Sequence, residues 1–269
     1  MRMPVLFIGH GSPMNAIEDN DYTRALKDLG RHLPRPRAVL CVSAHWMTEG
    51  TWITHQARPR TIHDFYGFPK PLFDVQYPAL GDPVLAEDIR ARTDGVQINL
   101  DDEQWGFDHG AWSVLRHIYP AADVPVLQLS LYMERGPDYH FAVGRALAAL
   151  RDQGVLIIGS GNIVHNLRLI KWQPDAPPFP WAVEFDAWVN AKLDAGDSAA
   201  LVSDATASEA GRLSIPTPAH WYPFLYSLGA ADPGERPVTI FNGLQNASIS
   251  MRSIGFGLDA YPSAAANTR

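Results

Sequence analysis

One cysteine stands in a chain of 269 residues. Cys41 has no partner for an internal disulfide, and a zinc site built on a cysteine cluster is excluded. It lies in the apolar run Arg37-Ala38-Val39-Leu40-Cys41-Val42, where the expected role is a small buried hydrophobe in a strand. A basic surplus is also missing, since 22 Lys and Arg against 29 Asp and Glu leave a formal net charge of −7. Nucleic acid and anionic membrane surfaces both call for a basic face, so neither is an expected partner. No apolar run approaches the roughly 20 residues that a membrane-spanning helix requires. The amino terminus passes directly into a short strand pattern, without the apolar core and cleavage site of a signal peptide, and cytoplasmic residence is the expectation. Familiar catalytic signatures are absent too. There is no His-Glu-x-x-His helix and no Gly-x-Ser-x-Gly elbow, and Gly159-Ser160-Gly161 lacks both the P-loop lysine and the third glycine of a dinucleotide fingerprint.

What is present is an alternation of two periodicities. Short, apolar, β-branched runs at Val5 to Ile8, Ala38 to Ser43, Thr51 to Thr54, Val124 to Leu129, Val155 to Ile158 and Val238 to Phe241 read as strands covered on both faces. Helical spacing recurs over Tyr22 to Leu29, Pro83 to Arg92, His109 to Ile118, Tyr139 to Arg151, Trp181 to Leu193 and Ala219 to Leu228. The expected fold is α/β: a single-domain, three-layer α/β/α sandwich over 1–269, around a mixed, mostly parallel central sheet. A monomer or small homo-oligomer is expected. Two segments resist the pattern. Gln56 to Ala79 mixes Pro59, Pro69, Pro71 and Pro78 with Phe65, Tyr66, Phe68, Phe73 and Tyr77, and Ile170 to Trp181 is again proline-rich. Aromatic loops of this length inside a compact domain read as lids or binding loops. The small, polar tail from Ala264 to Arg269 is expected to fray.

Histidines carry the chemistry. His10 lies in Gly9-His10-Gly11-Ser12-Pro13, where the flanking glycines let backbone and ligand approach closely. His45 ends an apolar strand in Ser43-Ala44-His45-Trp46, with small residues making room beside it. His165 follows the Gly-Ser-Gly-Asn turn after Val155 to Ile158, and His220 opens a helix after Pro216 and Pro218. Ligand sites of open α/β folds gather at the carboxyl ends of strands, so four histidines placed there can converge on one point. Neutral imidazole is both a common metal ligand and the usual acid or base near pH 7. A mononuclear metal enzyme is the first reading. His109 sits at a helix start behind its N-cap Asp108, which favours a neutral ring able to donate one hydrogen bond. His32, His55, His117 and His140 read as structural or surface residues.

Taken together, Gly9-His10-Gly11-Ser12-Pro13-Met14, Ser43-Ala44-His45-Trp46, His63-Asp64-Phe65-Tyr66-Gly67-Phe68-Pro69, Trp105 to Trp112, Gly159 to Asn162, His165-Asn166-Leu167 and His220-Trp221-Tyr222-Pro223 resemble, in this order, the DODA-type extradiol ring-cleavage dioxygenases. That group is the 4,5-DOPA dioxygenase branch of the protocatechuate 4,5-dioxygenase β-subunit superfamily. The resemblance implies a non-haem Fe(II) enzyme that uses O2 to open a catechol ring, such as that of DOPA or a related catechol acid, beside its two hydroxyl-bearing carbons. It makes His10, His45 and His220 metal ligands. His165 becomes the acid/base residue, and a fourth ligand when Zn(II) occupies the site. His109 becomes a group that contacts substrate or oxygen, and His63, Asp64 and Tyr66 become substrate-binding residues of the aromatic loop. The wider superfamily has a carboxylate where this chain has His220; three histidines suit catalytic zinc as well as iron. A three-histidine zinc hydrolase and a non-catalytic metal-binding relative are the alternatives. Arg58, Arg60 and Lys70 beside the aromatic loop are available to a substrate carboxylate, or are solvated loop charges.

Overall fold

The computed structural model describes residues 2–93, 95–173, 175–258 and 261. The tail from Ala264 to Arg269 lies outside the described residues. The strands are β1 (Val5–Gly9), β2 (Ala38–Thr48), β3 (Thr51–Thr54), β4 (Ile98–Asp101), β5 (Val126–Tyr132), β6 (Val155–Gly161), β7 (Val238–Phe241), β8 (Leu244–Gln245), β9 (Ile249–Ser250) and β10 (Ser253–Phe256). The helices are α1 (Asp21–His32), α2 (Lys70–Phe73), α3 (Pro83–Arg92), α4 (His109–Ile118), α5 (Pro137–Leu147), α6 (Pro180–Asp194), α7 (Ser198–Ser203), α8 (Glu209–Ser214) and α9 (Tyr222–Ala230). Eight strands form one sheet in the order β4-β3-β5-β2-β6-β1-β10-β7, and β8 with β9 forms a separate small ribbon. The central strands β5, β2, β6 and β1 run parallel; antiparallel pairing enters at β3 with β5, at β1 with β10 and at β10 with β7.

Strand period sorts the apolar residues onto two faces. From β1, Val5 and Phe7 join one core while Leu6 and Ile8 join the other. β2 divides in the same way, with Ala38, Leu40 and Val42 against Val39 and Cys41, and β6 sends Val155 and Ile157 one way and Leu156 and Ile158 the other. Helices α5, α6 and α9 pack over the first face, and α1 and α4 over the second. This is the expected α/β/α sandwich, and it explains why the central strands are apolar throughout. Burial of such a side chain contributes about 1.5–3 kcal/mol, so a polar residue in this register needs partners. Gln128 of β5 has them: its amide nitrogen donates to Asp108 Oδ2 at 2.7 Å and its oxygen accepts from the Asp108 backbone N–H at 3.0 Å.

Several boundaries differ from the sequence reading. β5 starts at Val126 and continues to Tyr132, because Gln128 and Ser130 fit a strand once partners are supplied. The segment from Tyr139 to Arg151 is α5 followed by a 3-10 turn over Ala148–Gln153. His220 closes a 3-10 turn, Pro218–His220, that precedes α9. His140 does not lie near the surface; it is fully buried, stacked on Tyr222 with ring centroids 3.8 Å apart. Cys41 is buried as expected. No helix among the described residues is long and apolar enough to cross a membrane.

Candidate metal centre

Parallel strands bring their carboxyl ends to one edge of the sheet, and the histidines follow. His10 is the first residue after β1, and its backbone N–H donates to the Gly161 carbonyl at the end of β6. His45 lies inside β2 rather than at its end. Pairing of β2 with β5 is regular up to Val42 and resumes at Met47, so His45 occupies the interruption and its ring turns toward His10. His220 arrives from the other side of β6, on a turn whose backbone presses against that strand. A Cβ on Gly161 would stand 2.2 Å from the His220 carbonyl oxygen, so only glycine allows the approach. Gly110 is the matching case on α4, where a Cβ would stand 2.5 Å from Ser43 Oγ and 3.0 Å from the His45 ring.

Five rings meet at this edge. Ring centroids are 5.0 Å apart for His10 and His45, 5.1 Å for His10 and His220, and 5.2 Å for His45 and His220. His109 lies 3.9 Å from His45, and His165 stacks on His220 at 3.4 Å with an 11° interplanar angle. Coordinating atoms of His10, His45 and His109 all fall within 4.8 Å of one another. Hydrogen bonds behind the rings determine which nitrogen faces inward. Ser160 Oγ donates to the Gly110 carbonyl at 2.6 Å, so toward His10 Nδ1, 3.0 Å away, it accepts. Asn162 uses its amide N–H on the Ser250 carbonyl at 2.8 Å, which leaves its oxygen to face His220 Nδ1 at 3.3 Å. His45 Nδ1 lies 3.3 Å from Asp64 Oδ2. Each Nδ1 therefore faces an acceptor, and each Nε2 is left as a lone pair.

His10 Nε2 and His45 Nε2 stand only 3.1 Å apart. A proton placed between them would have to come from one ring's Nδ1. For His10 that would strip the Gly110 carbonyl of its donor, and for His45 it would turn a lone pair toward a carboxylate. Two lone pairs at that separation suit a shared cation, since metal–nitrogen bonds of about 2.0–2.1 Å in a tetrahedral arrangement place neighbouring nitrogens about 3.3 Å apart. The donor set fits a divalent metal. Electrostatics agree: burial, reinforced by the neighbouring histidines, holds the pKa values of His10, His45 and His220 well below the usual imidazole range, and burial, with the His109 ring nearby, lowers His165 to about 4. All four rings are neutral at pH 7.

A buried carboxyl supports the arrangement. Asp108, N-cap of α4, accepts from Ser43 Oγ at 2.6 Å, Ala111 N at 3.2 Å, Trp105 Nε1 at 3.2 Å and Gln128 Nε2 at 2.7 Å. Burial and the nearby Asp64 charge raise its pKa from the ordinary carboxyl value. Ser43 in turn accepts from the His45 backbone N–H at 3.2 Å, tying the strand interruption to the helix start.

The aromatic segment Gln56 to Ala79 folds over this edge. Asp64 reaches His109 twice, accepting from its backbone N–H at 2.8 Å and from Nδ1 at 2.9 Å. The hydrogen bond that His109 donates thus goes to Asp64, and its Nε2 is an acceptor. His63 donates through Nε2 to the Val75 carbonyl at 2.9 Å and packs with Phe65, Phe73 and Trp112, inside the loop. Tyr66 is 92% exposed at the tip. Of the loop cations, Lys70 pairs with Asp74 and Arg60 donates to the Gln104 carbonyl. Sequence alone gives no role to Ser160 as a tautomer-setting group, nor to Asn162 and Gln128. For Ser160 a signal is present, a hydroxyl between two glycines at a strand end. A groove of about 1040 Å³ lies away from the histidines, among Arg145, Lys192, Asp232, Glu235 and Arg236.

Removing the group behind His10 has a measurable consequence. Ser160→Ala leaves His10 free to adopt either tautomer, and metal affinity is expected to fall about 10–100-fold. Competition against a chromophoric chelator measures it; an unchanged affinity would mean that Ser160 does not set the ligand.

Comparison with known proteins follows the same lines. The profile of the catalytic LigB subunit of aromatic ring-opening dioxygenase matches residues 4–244. A 4,5-DOPA dioxygenase extradiol of Escherichia coli K12 is 50% identical over 260 residues, 95% of this chain and 95% of that one. The protein of the same name from Beta vulgaris is 36% identical over 261 residues, 93% of this chain and 95% of that one. A crystal structure of an uncharacterized Escherichia coli K12 protein matches with a TM-score of 0.84 and 44% identity, over 95% of this chain and 100% of that one. With the family profile spanning most of the chain, including all five clustered histidines, the protein belongs to the LigB family of aromatic ring-opening dioxygenases.

Proposed function

We propose that the chain opens the ring of a catechol bearing an acidic side chain, DOPA or a close relative, by extradiol cleavage with O2. His10, His45 and His220 hold Fe(II) for activity, and His165 joins them as a fourth ligand when Zn(II) is bound instead. The observation that carries this reading is the pair of Nε2 lone pairs 3.1 Å apart, each with its Nδ1 turned to an acceptor behind it. His220 is taken as the third ligand because its ring stands 5.1 and 5.2 Å from those of His10 and His45, with Nδ1 turned to the Asn162 amide oxygen and Nε2 left free; His109, whose ring nitrogens also fall within 4.8 Å of those of His10 and His45, is the competing ligand.

When bound, the metal supplies a Lewis acid that lowers the pKa of catechol hydroxyls and gives catechol and O2 a common site. The protein residues divide the remaining work. His165, neutral with its pKa lowered to about 4, accepts a hydroxyl proton from the catechol and returns it later in the reaction. His109, whose Nδ1–H is given to Asp64, presents Nε2 as an acceptor that orients a hydroxyl of the bound catechol. His63, Asp64 and Tyr66 belong to the loop that closes over the ring and keeps bulk water from it. Relatives named 4,5-DOPA dioxygenase extradiol support DOPA as the first substrate to try. The chain is expected to act as a soluble cytoplasmic monomer or small homo-oligomer.

The test is a panel of catechols supplied to the anaerobically Fe(II)-loaded protein. Uptake of O2 with a yellow ring-fission product from DOPA or a related catechol acid is the expected result. Loaded protein that consumes no O2 with any catechol, or that instead hydrolyses esters in its zinc form without O2, overturns the proposal.

A further inference from the structure

The aromatic loop is fastened to the rest of the protein by hydrogen bonds near its start and near its end. Near its start, Ile62 N donates to the Phe107 carbonyl at 2.7 Å, Phe107 N donates to the Arg60 carbonyl at 2.8 Å, and Trp112 Nε1 donates to the Ile62 carbonyl at 2.8 Å. Near its end, the Tyr77 hydroxyl donates to the Tyr119 carbonyl at 3.0 Å, and Tyr77 N donates back to Thr61 Oγ1 at 3.0 Å. Between those points the loop packs through aromatic rings: Phe65 contacts Phe68, Phe73 and His109 at centroid distances of 5.4, 5.1 and 5.6 Å. Ring packing of this kind tolerates sliding, since no donor must find one acceptor. Asp64 is the exception. Its carboxylate is 15% exposed and accepts from His109 N at 2.8 Å on Oδ1 and from His109 Nδ1 at 2.9 Å on Oδ2, and the same Oδ2 stands 3.3 Å from His45 Nδ1 as a close electrostatic contact.

We infer that Asp64 is a positioning residue that makes closure of the aromatic loop and readiness of the metal centre a single event. The inference rests on the metal-site reading above. With the loop in place, the carboxylate stands 3.3 Å from His45 Nδ1 and favours a proton there, which leaves Nε2 as the lone pair for the metal. The same carboxylate holds the ring and first amide of α4 through His109. With the loop displaced, His45 loses the carboxylate that favours its tautomer, and α4 loses a partner for one of the free N–H groups of its first turn. Coupling runs in both directions by thermodynamic necessity: a loop that favours metal binding is itself held by bound metal. Carboxylate support of a ligating histidine is a general device; here the carboxylate is delivered by a covering loop rather than by the sheet and helices that carry the ligands. A catechol entering under the loop would then find the centre complete only when the loop has closed.

Asp64→Asn is the informative variant because it keeps shape and volume. An amide has one acceptor oxygen and brings two hydrogens of its own, so it cannot accept from both His109 N–H groups and also face His45 Nδ1. Two readouts, both without catechol or O2, test the inference on the full chain. Zn(II) affinity by chelator competition is expected to fall about 10–100-fold relative to the unsubstituted protein, the range for loss of a group supporting a ligand. Hydrogen exchange at the amides of residues 61–68 and of His109 is expected to slow on Zn(II) addition in the unsubstituted protein, and to lose that response in Asp64→Asn. Gln76→Ala, at an exposed position of the same loop, is expected to retain both the affinity and the response. If Asp64→Asn binds Zn(II) as tightly as the unsubstituted protein, or keeps the metal-dependent protection, the inference is overturned; a raised KM with both readouts intact would make Asp64 a substrate contact only. Should the unsubstituted protein bind no Zn(II), the metal-site reading fails first, and this inference with it.

Discussion

His10→Ala is expected to reduce bound metal from one equivalent to background and to remove turnover with it. His10 is buried at the end of β1, its Nδ1 faces Ser160, and its Nε2 is the lone pair that approaches His45 most closely. With alanine, the ring nitrogen that approaches His45 Nε2 at 3.1 Å is gone, and the iron site keeps only two of its three proposed ligands, too few for a facial site. Metal content by elemental analysis after anaerobic loading reads the result directly. Thermal unfolding supplies a second reading, because a ligand that binds only the folded state raises stability by RT ln(1 + [L]/Kd). Added Zn(II) should therefore raise the melting temperature of the unsubstituted protein and raise that of His10→Ala by much less. His220→Ala is expected to behave like His10→Ala, whereas His109→Ala keeps its metal. A His109→Ala protein without metal and a His220→Ala protein with it would exchange the two residues and identify His109 as the third ligand. Retention of a full equivalent in His10→Ala would remove the site altogether.

The outcome depends on groups that the sequence hides. β1, β2 and β6 are legible as strands because every residue faces one core or the other, which produces an unbroken apolar run. β4 is not, since Ile98-Asn99-Leu100-Asp101 is four residues with polar positions between apolar ones, and β10 carries Ser253 and Gly255 in so short a run that no period emerges. The polar neighbours of His140 suggest a surface residue, although the helical spacing of Val143 and Leu147 places it on the buried side of α5. The histidines of the centre stand out individually, each framed by small or aromatic residues at a strand or turn end. Their supports do not. Ser160 is 150 residues from His10, Asn162 is 58 from His220, and Asp64 is 45 from His109, so no local pattern joins them. His45 illustrates the limit well. Sequence places it at the end of a strand, yet what turns its ring inward is a break in pairing with β5, a property of two strands together.

His165→Ala should separate binding from chemistry. His165 is half-buried on the segment after β6, where its backbone N–H donates to the Ser214 carbonyl at 2.9 Å and its ring lies flat on His220. Burial, with the His109 ring nearby, lowers its pKa to about 4, so at pH 7 it is an unprotonated base beside the expected ligands. Loss of an acid/base group lowers turnover by about 10²–10⁴-fold, equivalent to about 3–5 kcal/mol on the barrier. Stacking of the His165 ring on His220 is worth about 0.5–1.5 kcal/mol by comparison, too little for its removal to cause such a fall through local loosening. The variant should thus keep a full equivalent of Fe(II) while single-turnover rates collapse. Its Zn(II) affinity should drop, because the zinc form loses its fourth ligand. Added imidazole, small enough to enter the space vacated by the side chain, should restore part of the rate without changing metal content. A variant whose turnover equals that of the unsubstituted protein would take proton transfer away from His165. The next residue to examine would then be His109, whose Asp64-bound ring already presents a lone pair at the same edge of the sheet.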